Sequence, residues 1–308
     1  MAWPGALERT ITAMHGAAGR ARLDDLSRRV ADYERRWDLR MLPPFGDLSF
    51  NYVAPASRLD GWTCVLKLCY GGPEVDAEMA ALRMADGDGM VRLIEEDSTG
   101  NAMLLERAVP GDMLVDEPDN EKATRIAAGV MAALWRPVPA GHGFPTVEGW
   151  GRGFERMRRR FDVGTGPLPA ELTGRAEQLY AELVATSAEP VVLHGDLHHY
   201  NILRHQDRWL AIDPNGVVGE PAFEIGALMR NRLPTFDDDS AATDVLTGRI
   251  RIVANAAGLD ADRMRQWTIA RALLSVWWLI EDGGESTLSE PFARGVFRTA
   301  ELLERVAL

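Results

Sequence analysis

The chain has 308 residues, enough for one large domain or two smaller ones, and its 46% hydrophobic and 26% charged residues are the balance of an ordinary globular protein. A formal net charge of −12 disfavours nucleic acid and anionic membranes as partners and suits a cationic ligand. Arg9 follows the start closely with no cleavage-site pattern behind it, and Arg271 interrupts the apolar run 267–280. Neither a signal peptide nor a membrane span is therefore expected, and the expected location is cytoplasmic.

Residues 36–107 read mostly as strands. "WDLRML" and "SFNYVAP" flank the turn "PPFGDL", and "WTCVLKLCY" ends at Gly71-Gly72. Cys64 and Cys69 are five apart on that strand, an odd spacing that puts them on opposite faces, so they cannot easily bridge. Pro73 opens "PEVDAEMAALRM", with Val75, Met79 and Leu82 at helical spacing, and Asp86-Gly87-Asp88-Gly89 stops it. The strands "MVRLIE" and "AMLLERA" follow, joined by "DSTGN". Beyond Pro110-Gly111 helical patterns take over, at 119–135, 152–161, 168–187, 241–257, 260–282 and 289–306. The expected architecture is α+β in two lobes. A β-rich lobe with one helix spans 1–107, and a mostly helical lobe spans 108–308, with a ligand expected in the cleft between them.

The exception within the helical part is "VVLHGDLHHYNILRHQDRWLAIDPNG", residues 191–216, which reads as strand, loop, strand. His194 and His198 have the four-residue spacing of two zinc ligands on a helix, but Val191, Val192, Leu193 and Gly195 argue for strand and turn. Phosphoryl transfer explains more of the residues. Asp196, then Asn201 five residues on, then Asp213 is the order of groups such chemistry needs. Asp196 would orient an acceptor hydroxyl and take its proton late, since an ordinary aspartate, pKa ~3.9, is too weak a base to do so early. Asn201 and Asp213 would offer oxygen ligands to Mg2+, a hard cation that prefers them. In the first lobe Lys67 stands among apolar strand residues and needs an anionic partner, such as nucleotide phosphates. Glu78 on the following helix can pair with it. The turn "FGDLSFN", with Ser49, can cover phosphates.

Three stretches, "LHGDLHHYNIL", "AIDPNGVVGEPAFEIGALMRN" and "RALLSVWWLIEDG", resemble the streptomycin 6-phosphotransferase and hydroxyurea phosphotransferase group of aminoglycoside kinases, with likeness from about Pro43 to Asp282. The resemblance implies a bilobal, protein-kinase-like fold that uses ATP and Mg2+. Asp196 matches the catalytic aspartate, Asn201 and Asp213 the metal ligands, and Lys67 with Glu78 the phosphate-contacting pair. The segment from Glu106 to Ala108 falls at the connector that holds adenine. His194 and Glu224 fall where side chains brace the catalytic loop. "DPNG" stands where protein kinases have DFG, no activation segment follows, and no GxGxxG precedes, so a protein substrate is not expected.

For the acceptor, streptomycin carries two guanidinium groups and asks for carboxylates. Glu220, the run Asp237-Asp238-Asp239, Glu281, Asp282 and Glu285 are the candidates, together with His198 beside the acceptor and Trp278 for stacking. The bland readings weigh more: 237–239 as a solvated loop, Trp277 and Trp278 as core, and Arg156, Arg158, Arg159 and Arg160 as an exposed helix face. Hydroxyurea or another small hydroxylated metabolite is the alternative acceptor. A non-catalytic relative that binds nucleotide without transfer is the alternative class, against which the intact set Lys67, Asp196, Asn201 and Asp213 argues.

Overall fold

The structure, a computed structural model, describes residues 5–46, 48, 50–233 and 238–308. It divides into two compact units, Met1–Gly111 and Asp112–Leu308.

The first unit is built on a five-stranded antiparallel sheet in the order β1-β2-β3-β5-β4, with β1 Leu39–Met41, β2 Tyr52–Arg58, β3 Thr63–Leu68, β4 Leu93–Asp97 and β5 Ala102–Glu106. Its centre is β3, where Lys67 sits opposite Val53 on one side and Met103 on the other. Period-two alternation sends Cys64, Leu66 and Leu68 to one face and Val65 and Lys67 to the other. The first face is covered by two helices, α1 Gly5–Asp24 and α2 Leu26–Arg36, whose Leu7, Ile11, Leu26 and Val30 join Leu66 and Leu104 in one core. The single-helix expectation for this part of the chain is thereby corrected: a sheet apolar on both faces needs cover on both. The third helix, α3 Pro73–Ala85, starts on a proline that has no N–H to lose and ends at Asp86. Cys64 and Cys69 are both buried and unbridged.

Strand β6, Pro110–Met113, carries the chain from one unit to the next. The second unit contains α4 Asn120–Leu134, β7 Arg136–Pro137, α5 Val147–Arg160, α6 Ala170–Ala185, β8 Val191–Leu193, the hairpin β9 Ile202–His205 and β10 Arg208–Ala211, then β11 Val217–Gly219. It ends with the short α7 Ile225–Leu228, α8 Asp239–Ala257, α9 Ala261–Gly283 and α10 Pro291–Glu304. Side-chain oxygens open four of the helices: Asp119 accepts from Glu121 and Lys122 N–H, Thr146 from Gly149 N–H, Asp238 from Ala241 N–H, and Asp260 from Arg263 N–H. Helix α9 is the buried axis. Trp267 meets Phe223 and Tyr180 edge-on at 5.1 Å, and Trp277 is 1% exposed. Among the described residues no helix is long and apolar enough to cross a membrane.

What this scaffold positions is one loop. Antiparallel pairing of β8 with β11 and of β9 with β10 leaves 194–201 and 212–216 as the two connections at adjacent strand ends. They are tied together by Asn215 N–H on the His194 carbonyl at 2.8 Å and Ile212 N–H on the Asn201 carbonyl at 3.0 Å.

Candidate active site

The loop 194–201 is held from beneath. Glu224, fully buried, accepts the His194 N–H at 2.8 Å on one carboxylate oxygen and the Gly195 N–H at 2.9 Å on the other. Burial drives the Glu224 carboxyl up to about 7 against the opposing pull of Arg271 and these two N–H groups. His194 Nδ1 accepts the Asp196 N–H at 3.2 Å, which leaves Nε2 as the protonated nitrogen donating to the Ile212 carbonyl at 2.9 Å. The two bonds need a neutral imidazole, and burial supplies one by lowering the His194 pKa to about 4. Gly195 has φ +84°, and a Cβ there would lie 2.9 Å from Val217 and 3.1 Å from Trp150, so only glycine fits this turn.

Asp196 follows directly. Its carboxylate meets the Arg230 guanidinium in a close ion pair, with Arg271 Nη2 3.7 Å from the same oxygen and His198 Nε2 3.4 Å from the other. Burial alone would raise this carboxyl, but Arg230, His198 and Arg271 outweigh it and hold the group well below the usual carboxylate range. Asn201 Nδ2 donates to the Asp196 carbonyl at 3.0 Å, which turns its Oδ1 away as an available acceptor. Asp213 is exposed and sits at φ +62°, a left-handed backbone that aspartate adopts more readily than most residues. The donor set of Asn201 Oδ1 and the Asp213 carboxylate is all hard oxygen and fits Mg2+, which takes one or two protein ligands and completes its shell with phosphate and water. Both ring nitrogens of His194 are engaged by backbone groups, which takes it out of use as a zinc ligand.

In the first unit Lys67 Nζ lies 2.5 Å from Glu78 Oε1, with both side chains buried. Glu106 ends β5, where its N–H bonds the Arg92 carbonyl at 2.8 Å, and Ala108 is buried just beyond. Ser49 and Asp237 lie outside the described residues.

The residues expected to contact the acceptor lie in different surroundings. Glu220 is 2% exposed and fully engaged: Arg263 Nε donates to both its oxygens at 2.8 Å and Trp267 Nε1 donates to one of them. It anchors α9 from inside the helical core, with its oxygens taken by the chain's own donors. Asp238 caps α8 through the Ala241 N–H, and Asp239 pairs with Arg298. Trp278 is half-buried and edge-on to Trp150 at 5.6 Å. Next to it Glu281 is tied to Arg156 by two bonds of 2.7 and 2.9 Å, while partial desolvation, then Glu281, pushes the Asp282 carboxyl up. Arg158 is paired with Glu177, so the basic run on α5 is half engaged rather than a purely solvated face. His199 is fully buried, not solvated, and burial with Arg249 and Arg232 lowers its pKa to about 3.

Three residues of the site escaped the sequence reading: Arg230, Arg271 and Trp150. Arg271 had a signal. A single arginine inside a 14-residue apolar run must meet a buried acceptor or anion, and it does so at the Gly195 carbonyl and over the Phe223 ring, 4.7 Å from the centroid.

The chain is similar to known proteins over most of its length. A hydroxyurea phosphotransferase from Kitasatospora aureofaciens is 34% identical over 278 residues, covering 87% of this chain and 77% of that protein. A streptomycin 6-kinase from Streptomyces griseus is 33% identical over 283 residues, covering 91% of each. Among solved structures, the amicoumacin kinase hAmiN in complex with AMP-PNP, Ca2+ and Ami superposes with a TM-score of 0.62 at 15% identity, over 92% of this chain and 94% of that one, a likeness of fold. The profile described as "Aminoglycoside/hydroxyurea antibiotic resistance kinase" matches residues 44–283, and the chain belongs to that family of phosphotransferases.

Proposed function

We propose that this phosphotransferase moves the γ-phosphoryl group of ATP to a hydroxyl of a streptomycin-type aminoglycoside, with Mg2+ as cofactor. The observation that carries the reading is the loop in which Glu224 and His194 fix the backbone on either side of Gly195 and so aim the ionised Asp196 carboxylate. The relatives named for streptomycin and hydroxyurea support the acceptor class.

In the proposed reaction an acceptor hydroxyl donates to Asp196, which sets its oxygen in line with the γ-phosphorus. The acceptor O–P bond forms as the bond from phosphorus to the β,γ-bridging oxygen breaks, ADP leaves, and the hydroxyl proton passes to Asp196 late in the step. Orientation of this kind can supply about 7–11 kcal/mol of barrier lowering. Asn201 and Asp213 would hold Mg2+, which when bound spreads the charge of the phosphate oxygens. Lys67, kept in place by Glu78, would contact nucleotide phosphates, and the segment from Glu106 to Ala108 would bond adenine. Trp278 and Asp282 are the residues proposed for a cationic, ring-shaped acceptor, and His198 for the group next to the reacting hydroxyl.

Hydroxyurea is the second reading, favoured by the 34% identical relative of that name. ADP release with MgATP and a panel of streptomycin, hydroxyurea, a deoxystreptamine aminoglycoside and simple amino sugars separates them. Release stimulated by streptomycin, and absent in Asp196→Asn, is the expected result. Release stimulated by hydroxyurea alone would transfer the assignment, and stimulation by none would remove both acceptors.

A further inference from the structure

We propose that Arg230 is a positioning residue for the transfer reaction: its guanidinium ties down one oxygen of the Asp196 carboxylate so that the other is presented to the acceptor hydroxyl. The proposal rests on Asp196 being the catalytic carboxylate. Torsion about the last bond of an aspartate is broad and two-fold, so a lone carboxylate does not choose which oxygen it presents. Here the choice is made by cations. Arg230 Nη2 bonds Oδ1, and Arg271 Nη2 approaches the same oxygen to 3.7 Å. Among the described residues, Oδ2 has only His198 Nε2, 3.4 Å away, as an ion-pair neighbour.

The two arginines are not equivalent. Arg271 is 3% exposed, stacks on Phe223, and gives its Nη2 to the Gly195 carbonyl, so it braces the backbone and reaches Asp196 only at a distance. Arg230 makes the direct bond. Its own Nε reaches the Ala227 carbonyl at 3.4 Å and its Cζ lies 5.9 Å from the Phe292 ring centroid, leaving the side chain 14% exposed. The guanidinium fork thus spans a helix-end carbonyl and the carboxylate at once in one fixed plane, a geometry that the compact point charge of a lysine does not reproduce. An arginine on a catalytic carboxylate lowers its basicity. In a loose transition state with late proton transfer that loss matters little, while aim matters throughout.

The test compares wild type, Arg230→Ala, Arg230→Lys and Asp196→Asn, each checked for folding by thermal melt, with the acceptor that stimulates wild-type ADP release. Arg230→Ala is expected to lower kcat about 100-fold. Its acceptor KM should stay within about threefold, the split that marks an interaction used in the transition state. Low-millimolar guanidinium chloride should restore a good part of the lost kcat in Arg230→Ala and none in Asp196→Asn. Wild-type kcat in Arg230→Ala overturns the proposal, and so does a loss that guanidinium does not relieve, since that is what a structural role gives. Should Arg230→Ala not fold, Arg230→Lys decides: a folded variant with kcat at least about tenfold down supports the proposal and wild-type kcat overturns it. Unimpaired transfer by Asp196→Asn would instead remove the reading of Asp196 on which the proposal rests.

Discussion

Lys67 and Glu78 form a pair 2.5 Å apart with side-chain exposures of only 5% and 9%, one contributed by the central strand of the sheet and the other by the helix that covers its second face. Such a pair contributes little net stability against apolar replacements, but breaking it by removing one partner strands a buried charge. Lys67→Ala is expected to lower the unfolding free energy by about 3–5 kcal/mol in denaturant titration. The double change Lys67→Met with Glu78→Gln should recover most of that stability and none of the ATP-dependent turnover. Loss of stability without loss of turnover in Lys67→Ala would separate the pair from nucleotide use.

Glu224 supports the loop with both oxygens, and glutamine offers only one acceptor. In Glu224→Gln an amide NH2 faces a backbone N–H, so one bond is lost and a donor is left against a donor, at a cost of about 1–3 kcal/mol. Because the same N–H groups set the backbone on each side of Gly195, kcat should fall with the melting temperature, by about 100-fold for a displacement near 1 Å. Unchanged kcat in a folded Glu224→Gln would show that the loop holds its shape without this carboxylate.

Acid should loosen the same loop. His194 titrates near 6.5 when unfolded and is lowered by burial to about 4 in the folded protein. A depressed histidine contributes stability that is present above its unfolded pKa and is lost as pH falls through the folded one, because only the unfolded chain then binds the proton. The contribution is on the order of 3 kcal/mol at neutral pH and declines between about 6.5 and 4. Urea midpoints across this range should fall with pH, and His194→Gln should be less stable at pH 7 with a shallower slope. An identical slope in the variant would mean that His194 stays neutral for no thermodynamic gain.

Much of the fold was legible because it is written in periodicity. The alternation through "CVLKL" marks β3 and puts Lys67 on the same side as Val65 and Cys69, and the six long helices after Pro110 follow from apolar spacing and acidic caps such as Asp119 and Asp260. Helices α1 and α2 were not legible. Their first segment is rich in alanine, glycine and arginine, and what makes it a helix is the bare sheet face under Leu7 and Ile11. In the site, Asp196, Asn201 and Asp213 could be singled out because their chemistry depends on spacing along the chain. Arg230 could not, since its bond to Asp196 joins residues 34 apart and exists only once α7 has turned back toward the loop. His199 shows the same limit: flanked by half-exposed His198 and exposed Tyr200, it is driven inside by a single helical turn.

The central claim is that Asp196 acts on the acceptor and not on the nucleotide. Its most direct test is to measure, on one preparation of Asp196→Asn, both steady-state transfer and equilibrium affinity for MgATP. In that variant kcat should fall by at least about 1000-fold, the scale of a lost orienting and proton-accepting group. MgATP should bind within about threefold of wild type. Turnover near the wild-type level, or nucleotide affinity lost in parallel with turnover, would contradict it.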